Sequence, residues 1–187
     1  MGTPTREELL PPPEKNSSTM TAVQKLVLSG LFAAVPVILS FVPGPIPVAG
    51  AKLLPWQHMT NAIAGVVVGP WYAALAATAA AILRNMLGVG TLLAFPGGIP
   101  GAIVVGLAYR IWRSEWVGLL EPVGTGPVGA TIGSLLVAPA LMGTAIPLGT
   151  LLPLFLASSI PGSVLGVVIL KALARLGFRP ARLPGRS

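Results

Sequence analysis

Two short stretches of an otherwise apolar sequence carry the side chains that could bind a small molecule. Gln57, His58 and Asn61 form one stretch, and Arg84 and Asn85 form the other. On a helix, residues three or four positions apart share a face, so Asn61 is expected beside both Gln57 and His58. Amides, an imidazole and a guanidinium offer hydrogen-bond donors and acceptors in fixed directions. Together with aromatic planes they suit a small heteroaromatic ligand with polar edges.

Three further residues lie close enough in sequence to line the same site, namely Trp56, Thr91 and Phe95. A purely structural alternative is that the polar groups hydrogen-bond one helix to another, which in membranes contributes about 0.6 kcal/mol on average. Their clustering at one end of two helices, under two loops, favours ligand contact. Arg84 also has a structural alternative, in which its side chain extends to the outer lipid headgroups.

The composition shows what kind of scaffold must position these residues. Of the 187 residues, 53% are hydrophobic and 9% are charged, which is too little charge to cover a soluble domain of this length. The net charge is +7, but the basic residues lie at the edges of apolar runs and form no patch, which argues against nucleic acid as a partner. There is no cysteine, so disulfides and thiolate metal sites are excluded. The sequence predicts an all-α integral membrane protein.

Charges and clusters of proline and glycine divide the sequence into six apolar runs. A helix needs roughly 20 residues to span a membrane, and each run is interpreted as one such helix. Before them, residues 1–20 are predicted to form a disordered cytosolic tail, followed by an uncleaved first span. Residues 21–177 form the predicted six-helix membrane domain, and residues 178–187 a basic cytosolic tail. The predicted helices are Thr21–Phe41, Trp56–Val68, Trp71–Leu87, Pro96–Trp112, Pro127–Thr144 and Leu151–Leu176.

The lysines and arginines predict the orientation, because cytosolic loops carry an excess of them. With six spans both termini share one side, and of the 12 lysines and arginines only Lys52 and Arg84 fall on the other side. All five carboxylates are also expected on the side of the termini, outside the spans. The termini are therefore predicted to be cytosolic. The loops Val42–Pro55 and Gly88–Phe95 are predicted to face outward, above the polar residues described first.

Several kinds of chemistry lack the residues they need. There is no GxxxxGK[ST] phosphate loop, so ATP hydrolysis of that kind by this chain is excluded. With no carboxylate expected within a span, an acidic proton or sodium relay is not predicted, and neither is a metal site or a bound cofactor. A Ser-His pair of His58 with Ser159 or Ser163 is conceivable, but no nucleophile motif accompanies it. The sequence does not indicate an enzyme.

Small residues recur four positions apart in three of the predicted helices, and such pairs let helix backbones approach closely. In most of them we expect internal packing. In the first helix the small face could instead be offered to a partner protein, and the pairs by themselves do not separate the two. The pairs are Ser29/Ala33 and Gly30/Ala34 in the first helix, Gly97/Gly101 and Ala102/Gly106 in the fourth, and Gly162/Gly166 and Ser159/Ser163 in the sixth.

Five segments together resemble the substrate-binding S components of energy-coupling factor (ECF) transporters, and most closely the ThiW group, which is thought to take up the hydroxyethylthiazole precursor of thiamine. Between about Leu26 and Arg110 the resemblance rests on these segments, whereas the second half of the chain matches only in hydropathy. The segments are Ser29–Ala34, Pro55–Asn61, Ala64–Pro70, Arg84–Asn85 and Gly90–Gly97.

The resemblance implies a six-helix bundle in a prokaryotic plasma membrane that binds a vitamin or precursor near its outer face. It implies that Pro47 and Lys52 belong to a lid loop over the pocket. The small face of the first helix, with Ser29, Gly30, Ala33 and Ala34, would dock on a transmembrane coupling subunit driven by two ATPases. The implied pocket residues are Gln57, His58, Asn61, Asn85, Thr91 and Phe95.

Three other functions remain open from the sequence. The first is an S component for another vitamin, such as thiamine, or for a pyrimidine precursor. The second is a membrane enzyme that uses His58, and the third is a structural membrane subunit without a ligand.

Overall fold

The computed structural model describes residues 20–48 and 51–178. The two predicted tails therefore lie outside the described residues, apart from Met20 and Phe178. The helices are α1 (Ala22–Leu39), α2 (Pro55–Val68), α3 (Pro70–Met86), α4 (Ala94–Trp112) and α6 (Leu148–Arg175). Between the last two lies α5 (Glu115–Leu141), one helical segment that begins with a 3₁₀ turn and includes two π-helical stretches, Gly124–Gly129 and Gly133–Val137.

The ends of the helices follow from local sequence. α1 begins with a capping box, in which the Thr21 hydroxyl accepts from the Gln24 backbone N–H at 3.2 Å and the Gln24 side chain accepts from the Thr21 N–H at 2.8 Å. Pro55 and Pro70 occupy the first positions of α2 and α3, where a missing N–H costs nothing. Gly69, at φ +84°, separates these two helices with a conformation that residues with a side chain rarely adopt.

The loop between α1 and α2, predicted to be structured but not helical, contains a short hairpin. Strand β1 (Ile46–Val48) pairs antiparallel with β2 (Ala51–Leu53), and Pro47 lies opposite Lys52. The indole Nε1–H of Trp56 donates to the carbonyl of Gly44 at 2.8 Å, which fastens the start of this loop to α2.

The fifth helix begins twelve residues earlier than predicted, at Glu115 instead of Pro127. The prediction was wrong because it treated Glu115, Glu121 and the nearby prolines as loop residues. In the structure the proline and glycine residues of this segment lie within 3₁₀, α and π turns that continue into one another. This shift places Glu121 inside the bundle.

α2 is the centre of the structure. Eleven of its 14 residues are buried, and it packs mainly against α6 and α4, whereas α3 packs against α4 and α1. Val66 and Val105 are completely buried in the apolar core that these helices share. In contrast, only three of the 18 residues of α1 are buried, and large apolar side chains such as Leu31 and Ile38 are exposed.

In the part of the chain that the structure describes, four helices are long and apolar enough to cross a membrane, namely α1, α4, α5 and α6. α2 and α3 are shorter, with 14 and 17 residues. A hydrocarbon core of about 30 Å accommodates some 20 helical residues, so the four long helices define a multi-pass membrane protein.

Candidate ligand-binding site

A cavity of about 250 Å³ lies at the end of the bundle where α2 and α4 begin. The wall is formed by strand β2, by the four helices α2, α3, α4 and α6, and by the loops before α2 and α4, and it is mostly apolar with a few polar groups. The lining residues are Lys52, Leu53, Leu54, Gln57, His58, Arg84, Thr91, Leu93, Ala94, Gly97, Leu151, Leu154, Phe155 and Ser158. An apolar wall with a few convergent polar groups is typical of small-molecule sites.

Arg84 and Gln57 form the first polar pair of this wall. The Arg84 side chain is only 2% exposed and donates through Nη1 to Oε1 of Gln57, whose Nε2 in turn donates to the carbonyl of Ala94 at 3.2 Å. Nε of Arg84 is buried and has no hydrogen-bond partner. The guanidinium therefore lies inside the protein and does not extend outward as in the headgroup alternative.

Glu121 and His58 form the second polar pair. Glu121 is completely buried, and its Oε1 accepts from Nδ1 of His58 at 2.9 Å, from Nδ2 of Asn61 at 3.3 Å and from the hydroxyl of Thr125 at 2.7 Å. Its Oε2 has no partner. The expectation that every carboxylate lies outside the spans was wrong for Glu121, because α5 begins earlier than the charges suggested.

The contact with Glu121 assigns the tautomer of His58. Oε1 of the Glu121 carboxylate lies 2.9 Å from Nδ1 and is the acceptor in this contact, so we assign the ring proton to Nδ1. Nε2 of the same ring is then the nitrogen left for the cavity that His58 lines. Glu121 thus orients the imidazole from behind, as carboxylates beside functional histidines commonly do.

The structure brings five of the predicted residues into the cavity wall and leaves others outside it. Gln57, His58, Arg84, Thr91 and Lys52 line the cavity, whereas four other candidates do not. Trp56 holds the hairpin loop as described, and Phe95 is half-buried outside the wall.

Asn61 and Asn85 have supporting roles. Asn61 lies beneath the cavity, where its amide donates to Glu121 and, at 3.0 Å, to the carbonyl of Gly98. Asn85 donates to the carbonyls of Ala81 at 2.8 Å and Thr91 at 3.0 Å, which shapes the turn that carries Thr91. Neither side chain lines the cavity.

The sequence did not indicate the wall contributed by α6. Leu151, Leu154, Phe155 and Ser158 close one side of the cavity, and the Ser158 hydroxyl accepts from the backbone N–H of Leu54 at 2.9 Å. The leucines and the phenylalanine are indistinguishable in sequence from lipid-facing residues. Only the paired serines at 158 and 159 were a local signal.

The conceivable Ser-His pairs are not formed among the described residues. Ser163 donates to the carbonyl of Ile160 at 2.9 Å, and the buried hydroxyl of Ser159 has no hydrogen-bond partner. Nδ1 of His58 is already engaged with Glu121. The geometry is that of a binding pocket with an oriented imidazole.

Comparison with a solved structure identifies the fold. The fold is similar to that of the S component for biotin from an ECF-type ABC transporter, with a TM-score of 0.59 and 24% identity over 87% of this chain and all of that one. The helical bundle therefore has the fold of that S component.

The family of this chain is defined more narrowly than its fold. The model of the thiamine-precursor transporter family (ThiW) matches residues 26–176, and the chain belongs to this family. No curated protein matches the chain. The match extends through the second half of the sequence, which resembles the family only in hydropathy when judged from the sequence motifs. It therefore includes Glu121 and the residues of α6 that line the cavity.

Proposed function

We propose that this chain captures a thiazole precursor of thiamine, with hydroxyethylthiazole as the reference compound, in the cavity beside His58 and Arg84. Membership of the thiamine-precursor transporter family supports the substrate class. The single observation that carries the assignment of the site is the wall itself, in which an apolar surface surrounds an imidazole held by Glu121 and a guanidinium held by Gln57. A heteroaromatic ring with one polar substituent matches such a wall.

The proposed topology has six helices crossing a prokaryotic plasma membrane, with both termini in the cytosol. The distribution of lysine and arginine supports this orientation. α2 and α3 are short for spans, but α2 is buried on nearly all sides, so its neighbours shield its ends from lipid. In this orientation the cavity and the hairpin face outward, where substrate is captured.

The hairpin is the proposed lid. Lys52 lines the cavity from β2, and Pro47 lies opposite it on β1. The hydrogen bond from Trp56 to Gly44 anchors the beginning of this loop, while the strands themselves are joined to the bundle mainly through β2 and α6. Movement of the strands can therefore open the cavity without disturbing α2.

The proposed energy source is a coupling subunit with two ATPases, which contacts the exposed side of α1. The two small pairs of α1 face different ways. Ser29 and Ala33 are buried within the bundle, whereas Gly30 is exposed and Ala34 is half-buried. We therefore assign docking to Gly30 and Ala34, and internal packing to Ser29 and Ala33.

A double-mutant cycle on His58 and Glu121 tests the site. His58→Ala removes the cavity-facing nitrogen, and Glu121→Leu removes the acceptor that orients it. Because the side chains of Asn61 and Thr125 keep the carbonyls of Gly98 and Gly97 as acceptors, the chief loss in Glu121→Leu falls on His58. Each variant should bind hydroxyethylthiazole about tenfold more weakly, and the double variant should be no weaker than either single one.

Calorimetry on the purified subunit measures these affinities, with Thr78→Val as the control, since Thr78 only donates to its own helix at Ala74. His58 is the single histidine of the chain, so a ¹⁵N-histidine label reports its protonation directly. The parent should show a proton on Nδ1. Parent-like binding by both single variants would contradict this assignment of the site.

A further inference from the structure

Among the described residues, the cavity wall carries positive charge without a compensating acid. Lys52 and Arg84 both line it, and no lining residue is a carboxylate. Within the described residues the carboxylates are Glu115 and Glu121. Glu121 lies beneath the cavity with Oε1 engaged by His58, Asn61 and Thr125, and it makes no salt bridge with Arg84.

The guanidinium of Arg84 lacks some of the hydrogen-bond partners that it could have. Its side chain is 2% exposed, the partner of Nη1 is the neutral amide of Gln57, and Nε has no partner at all. A buried guanidinium is stable only with an anion or with a complete set of acceptors. Arg84 also lines the cavity, so a bound molecule with an acceptor lies within its reach and is the missing partner that the protein does not supply.

The N-terminal ends of two helices add to the positive electrostatic potential of the cavity. Leu54 and Gln57, at the start of α2, and Leu93 and Ala94, at the start of α4, all line the cavity. The N-terminal end of a helix carries a partial positive charge. Anionic substrates in membrane transporters are commonly bound at such ends. The side chains and the helix ends therefore point to the same sign of ligand charge.

We infer that the ligand carries an anionic oxygen group, a carboxylate or a phosphate ester, which Arg84 and Lys52 neutralise inside the cavity. This inference rests on the proposed function and specifies it, since the preferred thiazole is then an acidic derivative and not the neutral alcohol. The planar guanidinium matches the two oxygens of either group. Lys52, exposed on β2, supplies the second charge from the lid.

The test compares ligands of one skeleton on the full chain in lipid nanodiscs. The probes are hydroxyethylthiazole, its phosphate ester, methylthiazole acetic acid and the neutral acetamide of that acid. The parent should bind at least one of the two anions about tenfold or more tightly than the neutral compounds, as expected for a charge-assisted hydrogen bond. Which anion is preferred distinguishes a carboxylate from a phosphate ester.

Variants that remove one positive charge then show which residues cause the preference for the anion. Arg84→Gln and Lys52→Gln should each reduce the preference for the anion, whereas Arg110→Gln, at an exposed position in the last turn of α4, should leave it unchanged. Where Arg84→Gln does not fold, Lys52→Gln still tests the inference, because Lys52 lies on an exposed strand.

The possible outcomes separate the two proposals. Equal or tighter binding of the neutral thiazoles by the parent overturns the inference and leaves the proposed function standing. If no thiazole binds but biotin, itself a carboxylic acid, binds and is weakened in Lys52→Gln, the anion site stands and the proposed function fails. Absence of binding by every probe overturns both.

Discussion

Gly30→Leu should abolish vitamin-precursor uptake by cells while the purified subunit still folds and binds its ligand with parental affinity. The reason is the open space around Gly30, where an added Cβ has no heavy atom within 4 Å. A leucine there projects away from the bundle and alters only its outer surface. Uptake should fall to the level of cells without the subunit, because a bulky side chain keeps two helices from approaching closely.

The position of Gly30 on α1 explains why this surface is suited to a partner. A groove of about 240 Å³ runs between α1 and α3, and it is lined by small and apolar residues. Gly30 and Ser29 border it from α1, and Ala76 and Ala79 border it from α3. A neighbouring helix can approach such a groove more closely than it can approach a ridge of leucines.

The matched control is Gly149→Leu. Gly149 is also a helical glycine, exposed at the start of α6, and an added Cβ there again meets nothing within 4 Å. This variant should retain uptake. Normal uptake by Gly30→Leu would contradict the docking assignment, whereas loss of folding would show that Gly30 is needed for internal packing.

Gly162→Leu should have the opposite effect and prevent the bundle from forming. A Cβ at Gly162 would collide with the carbonyl of Pro55, approach Cβ of His58 to 2.7 Å and approach the backbone N of Met59 to 3.1 Å. The obstacles are mainly backbone atoms of α2, which cannot move aside as a flexible side chain can. We expect the free energy of unfolding to fall by about 3 kcal/mol or more, which is at or above the upper end of the range for substitutions that overpack a core.

Thermal unfolding and size-exclusion profiles in detergent measure this effect, and Gly149→Leu on the same helix is again the control. Ligand binding should be lost together with the fold, because α2 carries His58 and Gln57. A monodisperse Gly162→Leu protein with parental thermal stability would show that α6 does not press against α2 as the structure has it.

The polar residues at the start of α2 were predictable because polar groups in a membrane protein are expensive and so require partners. Gln57, His58 and Arg84 indeed lie together around one cavity, although they come from different helices. The family was also identified from the first half of the chain, and the family match confirms it over residues 26–176. These signals are local in sequence and depend on residue type.

Glu121 was not predictable by the same argument. A glutamate next to Pro122, near Gly124 and Pro127, resembles a loop residue, and its partner His58 is 63 positions away. Its burial depends on α5 continuing through 3₁₀ and π turns, a feature that proline and glycine composition conceals. Leu151, Leu154 and Phe155 were missed for a related reason, since an apolar side chain that faces a cavity resembles one that faces lipid.

We propose that the cavity holds a thiazole precursor of thiamine. The most direct measurement is the affinity of the purified subunit for a panel of hydroxyethylthiazole and its acidic derivatives, thiamine, a thiamine pyrimidine precursor and biotin. A thiazole should bind tightest, and His58→Ala should weaken its binding about tenfold. Tighter binding of biotin or of the pyrimidine than of any thiazole would contradict it.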